Sequence, residues 1–148
     1  KSFHQKTAKK QSKNIELFTK NRLLDLIKKT SYQPFFEAFD TIDIKLENDG
    51  IIHGDLFLDN ANFEDGKLSC VFDFSEACNG DFLFDLGVVA LSWCNNKNDI
   101  ETLLESYETN IRLEDFIPYI QYARLYYSVT RYLAKRDFNQ LFRRFYEF

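Results

Sequence analysis

The residues of this chain that are equipped for chemistry are concentrated in His53-Gly54-Asp55-Leu56-Phe57-Leu58-Asp59-Asn60, followed further on by Val71-Phe72-Asp73-Phe74. A loop of the form H-x-D-x-x-x-x-N with a later Asp-Phe carries the donor set that phosphoryl transfer needs. In that pattern Asp55 takes the proton of an attacking hydroxyl, while Asn60 and Asp73 hold magnesium. Magnesium prefers oxygen ligands and keeps waters and substrate phosphates in its shell, so these side chains suffice for the protein's share. The transferred group is loosely bonded in the transition state, and catalysis rests on holding ATP, Mg2+ and hydroxyl in line. ATP as co-substrate and Mg2+ are therefore the expected cofactors.

Asp, Asn and Gly are common in ordinary turns, and a lone D-x-x-x-x-N would carry no weight. Here the H-x-D, the asparagine, an intervening Asp65-Gly66 and an Asp-Phe follow one another in the expected order. His53 reads as a brace for the loop more than as a proton carrier. Asp59, beside Asn60, has two readings, a residue that orients the metal ligand and a cap of the loop. Glu76 is most simply a solvated turn residue.

The elements that must position these residues are mostly helical. Residues 14–29 place Leu17, Phe18, Leu24 and Ile27 at near-helical spacing, which predicts an amphipathic helix ending near Thr30 and Ser31. Pro34 restarts the chain in a Phe35, Phe36, Phe39 cluster, and Asn48-Asp49-Gly50 reads as a turn. Residues 61–74 alternate around Asp65-Gly66, a favoured sequence for a tight hairpin. Asp81 caps a predicted helix that is apolar on nearly every side, from Phe82 to Trp93. Ile100, Leu103, Leu104, Tyr107 and Ile111 predict a surface helix capped by Asp99. A longer helix follows Asp115 with Pro118 in its first turn, and a short one runs from Asp137 to the end. The expected fold is thus mainly α with a small β-hairpin, an α+β class, without internal repeats.

The 148-residue length suits one domain, and the 16 Phe and 8 Tyr supply much of its core volume. A net charge of −4 argues against nucleic acid as a partner, although Lys1, Lys6, Lys9, Lys10 and Lys13 make the start locally basic, a solvated helix face or linker. Asp85 interrupts the most hydrophobic stretch, so no membrane span is expected. Cys70, Cys78 and Cys94 form no C-x-x-C pair and read as reduced thiols of a cytoplasmic protein. No apolar secretion signal is visible. The chain has no methionine, even at position 1, which reads as a fragment.

At the catalytic segment the chain resembles the aminoglycoside-phosphotransferase-like superfamily, which includes choline kinases and, nearest to it, one type of homoserine kinase. The likeness lies in Ile52 through Phe57, Asp59-Asn60, Asp73-Phe74, Ala77-Cys78-Asn79-Gly80, Phe84-Asp85-Leu86 and Trp93-Cys94. It continues more weakly through 104–107 and 123–133. The resemblance implies a protein-kinase-like C-terminal lobe in which Asp55 is the base, Asn60 and Asp73 bind magnesium, and Asp85 holds the catalytic loop from the following helix. It implies an organisation in which 1–50 form leading helices, 51–94 the catalytic loop, metal-site hairpin and following helix, and 95–148 the C-terminal helices. Ser75-Glu76, where relatives carry an aromatic residue, and Asp81, in place of a common proline, depart from the pattern.

The five glycines form no G-x-G-x-x-G loop, so the N-terminal, nucleotide-covering lobe of a complete member is expected to be missing from this sequence, with the chain inactive alone. Homoserine, phosphorylated on its hydroxyl on the way to threonine, is the expected acceptor. An aminoglycoside, choline or a sugar is the alternative, as is a non-catalytic binding module built on the same lobe. Arg124 and Arg131 are the candidates for holding the acceptor's carboxylate, and either reads equally as a surface residue.

Overall fold

The structure is a computed structural model that describes residues 1–147. Its helices are α1 (Ser2–Thr7), α2 (Lys20–Thr30), α3 (Gln33–Thr41), α4 (Phe82–Trp93), α5 (Lys97–Tyr107), α6 (Leu113–Leu133) and α7 (Asn139–Arg143). Four short strands, β1 (Gly50–Ile52), β2 (Ala61–Glu64), β3 (Lys67–Val71) and β4 (Cys78–Gly80), pair as two antiparallel ribbons, β1 with β4 and β2 with β3. A 3-10 turn at Leu58–Asn60 leads into β2, and another, Arg144–Tyr146, follows α7.

The core is the crossing of α4 and α6. Phe84, Leu86, Val88, Ala90 and Leu91 of α4 are buried with Phe116, Ile120, Ala123, Leu125 and Val129 of α6. A side chain at Gly87 would place its Cβ 3.0 Å from the Tyr119 carbonyl oxygen, so the helices meet backbone to backbone there. Asp81 caps α4 as its sequence predicts, accepting from the N–H groups of Leu83 at 2.7 Å and Phe84 at 3.1 Å. A second aromatic cluster, Tyr32, Phe35, Tyr132, Phe138 and Phe142, locks α3 and α7 onto the end of α6, with ring centroids 4.9–6.5 Å apart. Among the described residues no helix is long and apolar enough to cross a membrane.

The β2–β3 hairpin forms around Asp65 and Gly66, both at positive φ, as the D-G dipeptide predicts. The second ribbon is a finding beyond the single expected hairpin. Strands of three residues carry no periodicity, and β1 and β4 pair across 25 intervening residues, Gly50 with Gly80 and Ile52 with Cys78. For the same reason Asn48-Asp49-Gly50 is not a turn; Asp49 donates its N–H to the Gly80 carbonyl at 3.0 Å and the segment runs extended into β1.

Helix ends depart from the periodicity in several places. α2 begins at Lys20, not near Asn14, because Thr19 caps it through Arg22 N–H at 3.2 Å and residues 14–18 are drawn into tertiary contacts. Asn14 there donates to the Ala77 carbonyl at 2.7 Å, and the Phe18 carbonyl accepts from the Tyr122 hydroxyl at 2.9 Å. Asn96, not Asp99, caps α5; Asp99 sits inside the first turn and accepts from Asn95 N–H at 2.8 Å. That helix stops at Tyr107, where Glu108 takes φ 61°, before reaching Ile111. α6 begins at Leu113, which places Pro118 inside the helix and past its first turn. The last helix is the short α7 and its 3-10 continuation; Phe148, at the end of the predicted stretch, lies outside the described residues. The five lysines of the basic start are exposed, as a solvated face requires, but the segment is no free linker: α1 buries His4, and Ser12 N–H bonds the Asn79 Oδ1 at 2.6 Å.

Candidate active site

β1 delivers the chain to His53 just in front of the first turn of α4, and that juxtaposition organises the loop. Asp85, 2% exposed, accepts from His53 N–H at 3.0 Å and Gly54 N–H at 2.8 Å, each carboxylate oxygen taking one amide. A buried carboxylate is costly unless hydrogen-bonded, and the amides and the positive end of α4 meet that need. Gly54 takes φ 82°, and a Cβ there would fall 2.4 Å from the Phe18 ring, so the loop can turn here only without a side chain. The Tyr127 hydroxyl of α6 donates to the Gly54 carbonyl from the other side.

His4 is the second support of Asp85 and was given no part by sequence reasoning. Its Nε2 lies 2.7 Å from Asp85 Oδ2, its Nδ1 lies 2.7 Å from the Tyr107 hydroxyl, and its ring stacks on Phe82 at 4.1 Å. In the neutral ring this network has Nε2–H donating to Asp85 and Nδ1 accepting from Tyr107. A lone histidine in a lysine-rich stretch has no sequence signal for such a role, since its partners lie 81 and 103 positions away. His4→Ala is expected to cost about 2–4 kcal/mol, adding a ring-sized cavity to a lost bond to a buried carboxylate. Tyr107→Phe, which removes one hydroxyl, is expected to cost only about 0.5–1.5 kcal/mol. Denaturant midpoints of the two variants check this ordering.

His53 ties the loop to the segment that carries the second aspartate. Its Nε2 bonds the Phe72 carbonyl at 3.0 Å, its Nδ1 accepts from Asp55 N–H at 3.2 Å, and its ring packs on Phe74 at 4.6 Å. The Phe72 N–H donates in turn to the Asn60 carbonyl at 3.1 Å, which brings Asn60 beside the start of the Asp73 segment.

Asp55 is half-buried, and the Asn60 side-chain amide clamps it by donating to its backbone carbonyl at 2.7 Å and its Oδ2 at 3.0 Å. Burial pushes the Asp55 carboxyl above its usual range, against the Asn60 hydrogen bond. Asp73 is exposed at φ 58°, an uncommon conformation for a residue with a Cβ. Its Oδ1 accepts from Ser75 Oγ at 2.6 Å and Ser75 N–H at 3.3 Å, and the hydroxyl bond holds this carboxyl below its usual range.

Among the described residues no group of three or more His, Cys, Asp or Glu is clustered as a closed metal site. The donor chemistry of Asn60 and Asp73 instead fits an open magnesium site. Asn60 spends its nitrogen on Asp55 and Asp73 spends Oδ1 on Ser75, so one hard oxygen on each, Oδ1 and Oδ2 respectively, has no hydrogen bond among the described residues.

Asp55 opens onto a cavity of about 450 Å3, walled by Phe57, Tyr126, Tyr127 and Thr130 and carrying Asp59, Glu76, Arg131 and Arg136. Asp59 is exposed on its rim. Glu76, expected as a solvated residue, is half-buried in this wall; burial, and after it the charges of Asp55 and Asp73, push its carboxyl up. Arg131 belongs to the cavity, but Arg124 does not. Its buried guanidinium donates through Nη1 to the Arg144 carbonyl beside a different cavity, with Cys94 and Ile100, and burial pulls it down to about 10. A further cavity of about 380 Å3 between α2 and residues 44–48 holds none of the candidate residues.

A helical lobe with short antiparallel ribbons, in which a carboxylate-bearing loop hangs from the first turn of a buried helix, defines the α+β, kinase-like fold class. Over residues 5–117 the chain matches the Phosphotransferase enzyme family, APH, and it belongs to that family. The homoserine kinase of Azorhizobium caulinodans is 51% identical over 45 residues, 30% of this chain and 14% of that enzyme. That of Neisseria meningitidis serogroup B is 32% identical over 81 residues, 53% of this chain and 27% of that enzyme. That of Bartonella henselae is 43% identical over 65 residues, 40% of this chain and 20% of that enzyme. Among solved structures, LicA in complex with AMP superposes with a TM-score of 0.73 at 17% identity, over 99% of this chain and 58% of that one. Choline kinase LicA from Streptococcus pneumoniae gives 0.69 at 19% identity over the same shares. At such identities the likeness is one of fold. The matches take in 14–27% of those homoserine kinases and 58% of the LicA chains.

Proposed function

We propose that the chain is the acceptor- and metal-holding lobe of an ATP-dependent small-molecule phosphotransferase, and that its acceptor is the side-chain hydroxyl of L-homoserine. The observation that carries the reading is the placement of Asp55, half-buried at a cavity and held by Asn60, on a loop whose backbone is fixed by Asp85. In this reading residues 51–94 provide the catalytic loop, the metal-site hairpin and the helix that anchors them. Residues 1–50 brace that unit, 95–148 close the acceptor side, and the part that covers the nucleotide phosphates lies outside these residues.

Asp55 accepts the hydroxyl proton as the acceptor oxygen bonds to the γ-phosphorus and the bond to the bridging oxygen of ADP breaks. Its raised affinity for a proton suits that role, since burial removes water that would otherwise stabilise the carboxylate. Asn60 Oδ1 and Asp73 Oδ2 would hold Mg2+, which would neutralise charge on the transferring phosphates. His53 joins the two aspartate-bearing segments, so that base and metal ligands keep one geometry.

The similarity to homoserine kinases supports the acceptor. The test is a panel of acceptors given to the full-length protein with ATP and Mg2+: L-homoserine, choline, a kanamycin-type aminoglycoside and a sugar. Homoserine is expected to have the highest kcat/KM. A higher value for choline or an aminoglycoside would keep the phosphotransferase and discard homoserine. No ATP-dependent transfer to any acceptor would favour a non-catalytic module.

A further inference from the structure

We propose that Glu76 is the specificity-determining residue of the acceptor cavity, pairing with an ammonium group, so that the cavity selects acceptors that carry both an amine and a carboxylate. This rests on the phosphotransferase reading and adds to it a residue that its sequence context marks only as a solvated turn.

Glu76 reaches the cavity from the segment between β3 and β4, whereas the tyrosines and arginines come from α6 and the residues after it, so the site is assembled from separate parts of the fold. Its carboxylate is half-buried and, among the described residues, engaged by no hydrogen bond or ion pair. Arg22 is the basic group that offsets its charge, yet it forms no ion pair with it, and Asp55 and Asp73 act against it. A carboxylate withdrawn from water without a partner is unfavourable, and a cation entering the cavity removes that cost. Tyr126 and Tyr127 line the same cavity with aromatic surface, which also favours a cation. Arg131 and Arg136 supply the opposite sign and the planar donors that suit a carboxylate. A cavity with an unpaired acid, aromatic walls and two arginines fits a zwitterion better than choline, which has no N–H to donate and no carboxylate.

The experiment compares the full-length wild type with Glu76→Gln, on L-homoserine and on 4-hydroxybutyrate. The second acceptor keeps the hydroxyl and the carboxylate and lacks the amine. Glutamine keeps the shape and removes the charge, and a thermal melt verifies folding. Expected is a loss of roughly 10- to 100-fold in kcat/KM for homoserine, the range for a hydrogen bond to a charged group, carried mainly by KM. The KM for ATP is expected to stay at its wild-type value, and any change with 4-hydroxybutyrate to be far smaller than the loss with homoserine. An unchanged KM for homoserine overturns the proposal, and so does an equal loss on both acceptors, which would place Glu76 on the metal or nucleotide. If the wild type transfers phosphate to neither compound, the homoserine reading falls. Calorimetric binding of homoserine to wild type and variant then decides Glu76 separately: weaker binding to the variant upholds it, and equal or absent binding rejects it.

Discussion

Asp55→Asn in the full-length protein is expected to lower kcat by roughly two to four orders of magnitude, the range for losing a positioned acid-base group. The substitution leaves the surrounding geometry in place. The Asn60 amide bonds both the backbone carbonyl and the side chain of Asp55, and an asparagine oxygen can receive the second bond as the carboxylate does. The backbone anchors to Asp85 are made by His53 and Gly54 and do not involve the Asp55 side chain. What disappears is the ability to take a proton, so folding and the KM for ATP should be retained while turnover falls. Steady-state kinetics with a circular-dichroism melt of the same preparation measures both. Near wild-type turnover would assign the base elsewhere.

L-Homoserine is expected to exceed L-serine in kcat/KM by roughly a thousandfold or more, in the same full-length protein. A lost methylene in apolar binding gives about 1–3 kcal/mol of discrimination, and displacing a nucleophile by about 1 Å adds a further roughly hundredfold loss. The second factor applies only if the acceptor is held at both charged ends. With its amine and carboxylate fixed, serine presents its hydroxyl short of Asp55 and the γ-phosphate. Competing-substrate kinetics gives the ratio directly, and a ratio below about tenfold, the value of a methylene alone, would mean that the acceptor is not gripped at both ends.

Where chemistry dictates local sequence, the chain reads directly. The H-x-D loop, the Asp65-Gly66 turn and the Asp81 cap are short patterns, each with a local physical reason, and the family match covers the same residues. Elements decided by distant partners do not read. β1 and β4 exist because they meet each other, and residues 14–18 leave the helical pattern because Phe18 is wanted beneath Gly54. Glu76 looked solvated because a turn composition says nothing about the α6 tyrosines that close over it. Arg124 and Arg131 stand two helical turns apart in one helix and were equivalent as sequence; burial separates them, one beneath Arg144 and one on the Asp55 cavity. His4 belongs with these, because only the folded chain brings it to Asp85.

That last contact has a kinetic side. The loop hangs on Asp85, Asp85 on His4, and His4 on Tyr107, through links that span 32, 81 and 103 positions. Contacts so far apart in sequence pay their loop-closure entropy before they are rewarded, and they form late and slowly compared with local helices and hairpins. A nascent chain that has emerged as far as the H-x-D motif therefore carries the residues without their arrangement. Synthesis also makes His4 before Asp85 and Tyr107, so α1 waits, unpaired, for the middle of the chain. Recovery of the His4–Asp85 pair during refolding should consequently coincide with closure of the whole lobe, and the arrangement of the H-x-D loop becomes a property of the completed topology.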